Sequence, residues 1–175
     1  IYDFYFEDKK IHMASPTGKA ANRMEELTGF KAKTIHRLLE YKGEGFDPEY
    51  EIPAPGLLIV DEFSMCDLPL AYYLFKAVNN NLKVVLVGDT NQLPSIGPGN
   101  ILRDLIDSGV IPTTELKVNF RQARGSKIIT IADEISQGNI PYLSDEADFE
   151  YENISEIKPL PHILNIFKNL SRDFN

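Results

Sequence analysis

Two continuous apolar stretches stand out in the pattern of hydrophobic and polar positions, at residues 57–60 and 82–87. The first contains only leucine, isoleucine and valine, and the second is interrupted by a single lysine, Lys83. Apolar runs of this length with β-branched residues are typical of strands buried on both faces of a parallel sheet. The pattern therefore predicts two fully buried parallel strands, and with them an α/β fold.

Amphipathic stretches and turn residues around these strands predict helices and two further short strands. Thr, Asp, Asn or Ser precedes several of the helical stretches, where its side chain can cap the first turn. The predicted caps are Thr34, Asp67, Asn100 and Ser126. The predicted helices cover residues 18–27, 35–41, 70–78, 101–106 and 127–136, and the short strands cover 10–14 and 113–116.

Composition indicates a globular chain with one good core. The 175 residues are 43% hydrophobic, and no apolar run approaches the roughly 20 residues that a membrane span needs. Acidic residues among the first ten argue against a signal peptide. The single cysteine, Cys66, excludes an internal disulfide, and we expect a reducing, cytoplasmic location.

The charge of the chain is unevenly distributed. The net charge of −8 argues, on average, against a nucleic-acid partner. Residues 1–42, however, contain eight Lys and Arg against six Asp and Glu, whereas residues 133–158 contain eight acids and one lysine. The N-terminal third is therefore a candidate platform for the backbone of a single-stranded nucleic acid. Solvated helix faces with capping threonines are the alternative.

Polar residues follow both apolar strands at their carboxyl ends. Asp61 and Glu62 come directly after the first strand, and a loop rich in Gly and Pro, residues 88–99, follows the second. Open parallel sheets bind ligands at this edge, where one acid can hold Mg²⁺ on a nucleotide phosphate and another can orient a water. A strand whose chain leaves into solvent through two charged residues is the alternative.

The Gly18-Lys19 pair does not belong to a P-loop. A P-loop has a glycine five residues before the glycine of its Gly-Lys pair and a hydroxyl residue after the lysine. Met13 and Ala20 occupy those positions, and the chain has no other Gly-Lys pair. We expect any phosphate contact made by this chain to lack that glycine-rich cradle.

Five motifs in succession resemble those of RecD-type superfamily 1 DNA helicases, which include the alpha subunit of exodeoxyribonuclease V and motors of conjugative relaxases. They are ASPTGKAA at 14–21, TIHRLL at 34–39, LIVDEFS at 58–64, GDTNQLPS at 88–95 and NFRQ at 119–122. The resemblance covers about residues 9–141. It implies a RecA-like fold, with helices flanking a mostly parallel sheet. It also implies a full-length protein that couples ATP hydrolysis to translocation on single-stranded DNA and to duplex unwinding.

The resemblance implies roles for individual residues at the nucleotide. Asp61 is similar to the acid that holds Mg²⁺, and Glu62 to the base that orients or activates the attacking water. Gln92 resembles the sensor of the γ-phosphate, and Arg121 the arginine that stabilises transition-state charge. All four would therefore contact ATP.

A second set of residues is expected to contact DNA. The motif positions at the predicted platform are Pro16, Thr17, Gly18, Lys19, Thr34 and His36. Residues 43–56 lie where the family carries a pin-like hairpin that splits the duplex, and their three glycines and three prolines predict a loop or hairpin outside the core. Phe46 and Tyr50 are expected to stack on bases. The alternative is that both rings pack back onto the domain surface.

The family pattern is incomplete in this sequence, so we expect a piece of a longer helicase. The P-loop is expected just before Ile1, and a second motor domain after the end of the chain. Residues 1–141 would form most of the first motor domain, and residues 142–175 an acidic tail. Without a P-loop, this chain alone should not hydrolyse ATP. A non-catalytic nucleotide- or DNA-binding scaffold domain and a RecA-like ATPase without helicase activity are the alternatives.

Overall fold

The computed structural model describes residues 10–116, 126–143, 149, 151 and 159–172. The chain divides into two compact units, Ile1–Thr114 and Glu115–Asn175. This division falls earlier than the boundary after residue 141 that we expected, and the extent of the motor domain stays a prediction.

The first unit contains a four-stranded, wholly parallel sheet with the strand order β2-β1-β3-β4. The strands are β1 (Lys10–Ser15), β2 (Ala32–Thr34), β3 (Gly56–Val60) and β4 (Leu82–Leu86). β3 lies between β1 and β4, and four of its five residues are buried. The prediction of an α/β fold around a buried parallel strand is confirmed.

β4 corrects the prediction of a second fully buried strand. It is the edge strand of the described sheet and pairs there with β3. Lys83 and Val85 are exposed, Leu82 is buried, and Val84 and Leu86 are half-buried. An apolar run does not by itself distinguish a central strand from an edge strand, because the run does not specify the neighbours.

Helices connect these strands and continue into the second unit. They are α1 (Gly18–Thr28), α2 (Ile35–Leu38), α3 (Leu68–Lys76), α4 (Ile101–Asp107), α5 (Lys127–Ser136) and α6 (Pro159–Arg172). A 3₁₀ turn, Phe63–Met65, links β3 to α3. Within the part of the chain that the structure describes, no helix could cross a membrane.

The predicted helix caps agree only in part with the structure. The side chains of Thr34 and Asp67 accept hydrogen bonds from the first-turn N–H groups of α2 and α3, at 3.2 and 3.0 Å. Asn100 and Ser126 occupy the cap position without a side-chain hydrogen bond to the helix. α2 ends at Leu38, before the predicted residue 41, and the left-handed backbone of Glu40 (φ 54°) cannot continue a right-handed helix.

Two further expectations about the chain between the helices need correction. Residues 113–116 form no strand. The prediction that residues 43–56 stay outside the core is also wrong, because Ile52 is fully buried and its N–H donates to the carbonyl of Ala77 at 2.8 Å. Glycine and proline disfavour regular structure, but they do not prevent a loop from placing one apolar side chain in the core.

The burial of Ile52 predicts a measurable contribution to stability. Ile52→Ala should lower the free energy of unfolding by about 2–5 kcal/mol, because it removes buried methyl groups and leaves a cavity. Val110→Ala is the control, since this side chain is 83% exposed and its truncation should change stability by less than about 0.5 kcal/mol. Denaturant unfolding of the purified protein measures both, and equal midpoints would contradict the core assignment.

Candidate active site

The register of the parallel strands places the carboxyl ends of β1, β3 and β4 at one edge of the sheet. The N–H of Asp61 donates to the carbonyl of Ala14 at 2.9 Å, and the N–H of Val87 donates to that of Val60 at 2.8 Å. The pairing continues beyond the strands, because the N–H of Phe63 donates to the carbonyl of Val87 at 2.9 Å. Asp61 is thus hydrogen-bonded to β1, and the turn that follows Glu62 is hydrogen-bonded to the residue just after β4.

Asp61 and Glu62 are both half-buried at this edge. Within the described residues, neither carboxylate forms a hydrogen bond or an ion pair with another side chain or with the backbone. Glu62 has a left-handed backbone, with φ 54° and ψ 36°, which is uncommon and strained for a residue other than glycine. The fold therefore holds two unpaired acids at the strand end, one of them in a strained conformation of a kind that clusters at functional sites.

Gly88 brings the loop after β4 into direct contact with the turn after Glu62. A Cβ atom at this position would lie 2.7 Å from Cδ2 of Leu102 and 3.0 Å from the backbone nitrogen of Ser64. The Ser64 hydroxyl is buried and has no hydrogen-bond partner in the described part of the chain. Both residues belong to motifs that the sequence shares with the helicases, LIVDEFS and GDTNQLPS, but no role was predicted for either of them.

The loop that carries Gln92 is anchored at both ends. Near its start, Nη2 of Arg103 on α4 donates to the carbonyl of Thr90 at 3.0 Å. Near its end, the N–H of Leu68 on α3 donates to the carbonyl of Pro98 at 2.8 Å. Gln92 itself is exposed. The structure thus brings Asp61, Glu62 and the start of this loop to one edge, whereas Arg121 lies outside the described residues.

The residues that are predicted to contact DNA follow β1 and β2 at the same edge of the sheet, and these two strands are neighbours. Ser15 pairs with Thr34 in the parallel register, so the turn at 16–19 and the start of α2 follow adjacent strand ends. The hydroxyls of Thr17 and Thr34 accept hydrogen bonds from helix N–H groups, at 3.3 and 3.2 Å. Gly18, Lys19 and His36 are exposed, and Pro16 is half-buried.

Phe46 and Tyr50 do not project from the domain as a pin would require. Phe46 is half-buried and stacks on Tyr73, with ring centroids 4.6 Å apart. Burial, and then the Glu40 carboxylate, raises the pKa of the Tyr50 hydroxyl. Both rings pack against the core cluster, which corresponds to the alternative of packing back onto the domain. Their stacking on DNA bases stays a prediction.

The acids at the sheet edge fit a nucleotide-bound Mg²⁺. Among the described residues, no three His, Cys, Asp or Glu side chains are grouped as an all-protein metal site would require. Mg²⁺ on a nucleotide needs only one or two carboxylates, because phosphate oxygens and waters supply its other ligands. The unpaired carboxylate of Asp61 is sufficient for that mode of binding.

Cys66 contributes no reactive group to this edge. Its side chain is buried, and burial, with a smaller effect of the Asp67 carboxylate, raises the pKa of the thiol to about 12. The thiol therefore stays protonated at neutral pH, and only the thiolate is a good nucleophile. The acids and amides therefore remain the candidate reactive groups at this edge.

The tight packing of Gly88 predicts that this position tolerates no side chain. Gly88→Ala should destabilise the protein by about 1–3 kcal/mol, because the new methyl group meets backbone atoms that cannot move aside cheaply. Gly18→Ala is the matched control: nothing lies within 4 Å of its Cβ position, and stability should be unchanged or slightly higher. Thermal unfolding compares the two, and equal melting temperatures would show that the loop does not rest on the turn.

Comparison with known proteins places this geometry in a family. The model of the AAA domain family matches residues 5–157. The chain is 41% identical over 151 residues to the "ATP-dependent RecD2 DNA helicase" of Deinococcus radiodurans, covering 86% of this chain and 20% of that protein. It is 34% identical over 150 residues to the "RecBCD enzyme subunit RecD" of Mycobacterium tuberculosis, covering 74% of this chain and 26% of that protein. A solved structure of Pif1 helicases on forked DNA matches 61% of this chain and 29% of its own, at 20% identity and a TM-score of 0.38.

The chain thus spans only about a fifth to a quarter of the length of these two curated relatives. The match nevertheless covers both the sheet and its carboxyl edge, including the segments that carry Asp61, Glu62 and Gln92. The family expectation drawn from the five motifs is confirmed. This chain belongs to the AAA domain family and is a homologue of the RecD and RecD2 DNA helicases.

Proposed function

We propose that the full-length protein is an ATP-dependent DNA helicase, in which ATP is hydrolysed at the carboxyl ends of β3 and β4 while single-stranded DNA is held at those of β1 and β2. The observation that carries this proposal is the hydrogen bond from Asp61 to Ala14, which joins the two candidate sites through one pair of strands. Similarity to a protein named as a DNA helicase and to one named as a RecBCD subunit supports the same assignment.

Each residue at the nucleotide has a role that its chemistry permits. Asp61 would hold Mg²⁺, which when bound neutralises charge on the phosphate oxygens. Glu62 would orient the attacking water and accept its proton. The Gln92 carboxamide can bond to phosphate and water together, and the Arg121 guanidinium can hold two phosphate oxygens at once.

The DNA side would rest on exposed charge and on the turn after β1. Lys19 stands at the start of α1 and His36 on α2, and both are exposed. Contacts of this kind bind the sugar-phosphate backbone without reading sequence. We further propose duplex ends as substrates, a cytoplasmic location, and nuclease or helicase subunits of a repair complex as partners, since the relative from Mycobacterium tuberculosis is named as a RecBCD subunit.

The proposed role of Glu62 is tested by replacing only its ionisable group. In the full-length protein, Glu62→Gln should abolish ATP turnover and leave Mg-ATP binding within about twofold, because the amide keeps the shape of the side chain but cannot accept a proton. Turnover is followed by phosphate release, and binding by equilibrium titration.

Asp107→Asn is the matched control, since it neutralises an exposed acid at the end of α4 and should leave turnover unchanged. Normal turnover by Glu62→Gln would remove Glu62 from the mechanism. Loss of both binding and turnover would instead assign it to nucleotide binding or to folding.

The proposed DNA platform is tested by removing its two exposed basic side chains. In the full-length protein, Lys19→Ala combined with His36→Ala should raise the concentration of single-stranded DNA that half-maximally stimulates ATP turnover. The rate without DNA should stay at the wild-type value, because neither residue lies at the nucleotide.

Salt provides the second measurement in this experiment. Wild-type DNA affinity should fall steeply as salt rises, because bound phosphates release counterions, and the double variant should show a smaller slope. Equal losses of the DNA-free and the DNA-stimulated rate would show that the two residues support the fold and do not bind DNA.

A further inference from the structure

Five side chains form a continuous aromatic cluster on the first unit: His36, Tyr41, Phe46, Tyr72 and Tyr73. Phe46 lies at its centre, with its ring centroid 4.6 Å from that of Tyr73 and 4.9 Å from that of Tyr41. Tyr72 meets Tyr73 edge to face at 5.1 Å. The cluster is covered in the middle and open at its two ends, where Tyr41 is 43% exposed and Tyr72 is 56% exposed.

Tyr41 is exposed and yet held in place. The edge of the His36 ring meets it at 88° with centroids 5.6 Å apart, and Phe46 supports it from within the cluster. The N–H of Tyr41 donates to the carbonyl of His36 at 3.0 Å, and its hydroxyl donates to the carbonyl of Gly43 at 3.2 Å. A ring fixed in this way loses little conformational freedom when a ligand stacks on it.

The segment that leads up to Tyr41 is basic, and acids follow it at Glu44 and Asp47. Residues 31–42 contain four cationic side chains and one carboxylate, Glu40. The cationic residues are Lys31, Lys33, Arg37 and Lys42. All four are exposed, and none forms an ion pair within the described residues. An exposed, immobilised ring at the end of a basic segment suits a ligand with a flat aromatic face and flanking phosphates.

We propose that Tyr41, buttressed by His36, is a stacking site for one base of single-stranded DNA. This inference rests on the proposed function and assigns the stacking role that sequence analysis gave to Phe46 and Tyr50 to a residue whose ring is accessible. Tyr72, at the other end of the cluster, does not fit, because its surroundings are mainly apolar side chains such as Leu68 and Phe75. Arg37 and Lys42, the cationic residues nearest to Tyr41 in the sequence, would bind the phosphates next to the stacked base.

Two DNA strands of equal length separate stacking from phosphate binding. One is oligo-dT and the other has the same backbone with abasic sites in place of every base. In the full-length protein, Tyr41→Leu should weaken binding of oligo-dT about 5- to 100-fold and leave binding of the abasic strand unchanged. Tyr41→Phe should lose much less affinity for oligo-dT than Tyr41→Leu, because the ring makes the contact and the hydroxyl only helps to fix it. Fluorescence anisotropy with labelled strands measures each Kd.

Tyr72→Leu is the matched control, because it removes a ring that is more exposed than Tyr41 from the opposite end of the same cluster and should change neither affinity. Thermal unfolding verifies that Tyr41→Leu is folded, and Tyr41→Gln replaces it if it is not. Wild-type affinity of Tyr41→Leu for oligo-dT, or of Tyr41→Gln used in its place, would overturn the inference. An equal loss of affinity for both strands would also overturn it. If the inference fails in this way while DNA still stimulates ATP turnover by the wild-type protein, the proposed function stands. A wild-type protein that neither binds oligo-dT nor responds to it would overturn both.

Discussion

The parallel pairing of β1, β3 and β4 is the constraint on which the rest of the structure depends. Its register aligns Ala14 with Val60 and Val60 with Leu86, so the three strands end together. Backbone hydrogen bonds then continue past the strand ends and attach Asp61 to β1 and Phe63 to the segment after β4. The position of the acidic pair is therefore set by main-chain geometry, independently of any contact made by the carboxylates.

The same edge combines rigid backbone with unpaired side chains. Gly88 packs against the turn after Glu62, and the following loop is hydrogen-bonded to α3 and α4. Glu62 holds a left-handed conformation that costs about 1–3 kcal/mol and persists because its surroundings enforce it. The backbone that carries these two acids is therefore ordered before any ligand binds, and only the carboxylates would have to be oriented.

Local chemistry made much of this fold predictable from sequence. The apolar run at 57–60 predicted β3, and Thr34 and Asp67 cap the helices expected of them, because both signals act within a few residues. The motif order likewise indicated which strand end carries the acids. These features need no knowledge of distant partners.

The errors arose where distant partners decide the outcome. β2 was missed because its three residues, Ala-Lys-Thr, form a strand only by pairing with β1. The edge position of β4 and the burial of Ile52, whose N–H donates to the carbonyl of Ala77 just after α3, also depend on the assembled sheet and helices. The motifs contain Ser64 and Gly88 but do not indicate their roles, because only packing shows that the Ser64 hydroxyl has no partner among the described residues and that a Cβ at Gly88 has no room.

The central claim is that one sheet edge joins nucleotide hydrolysis to DNA binding. The ATP turnover of the wild-type full-length protein, with and without single-stranded DNA, tests it most directly. We expect a low turnover rate without DNA and a saturable rise of that rate with DNA. The stimulation by DNA should weaken as salt is added. Turnover that is absent, or that DNA leaves unchanged at every concentration, would contradict it.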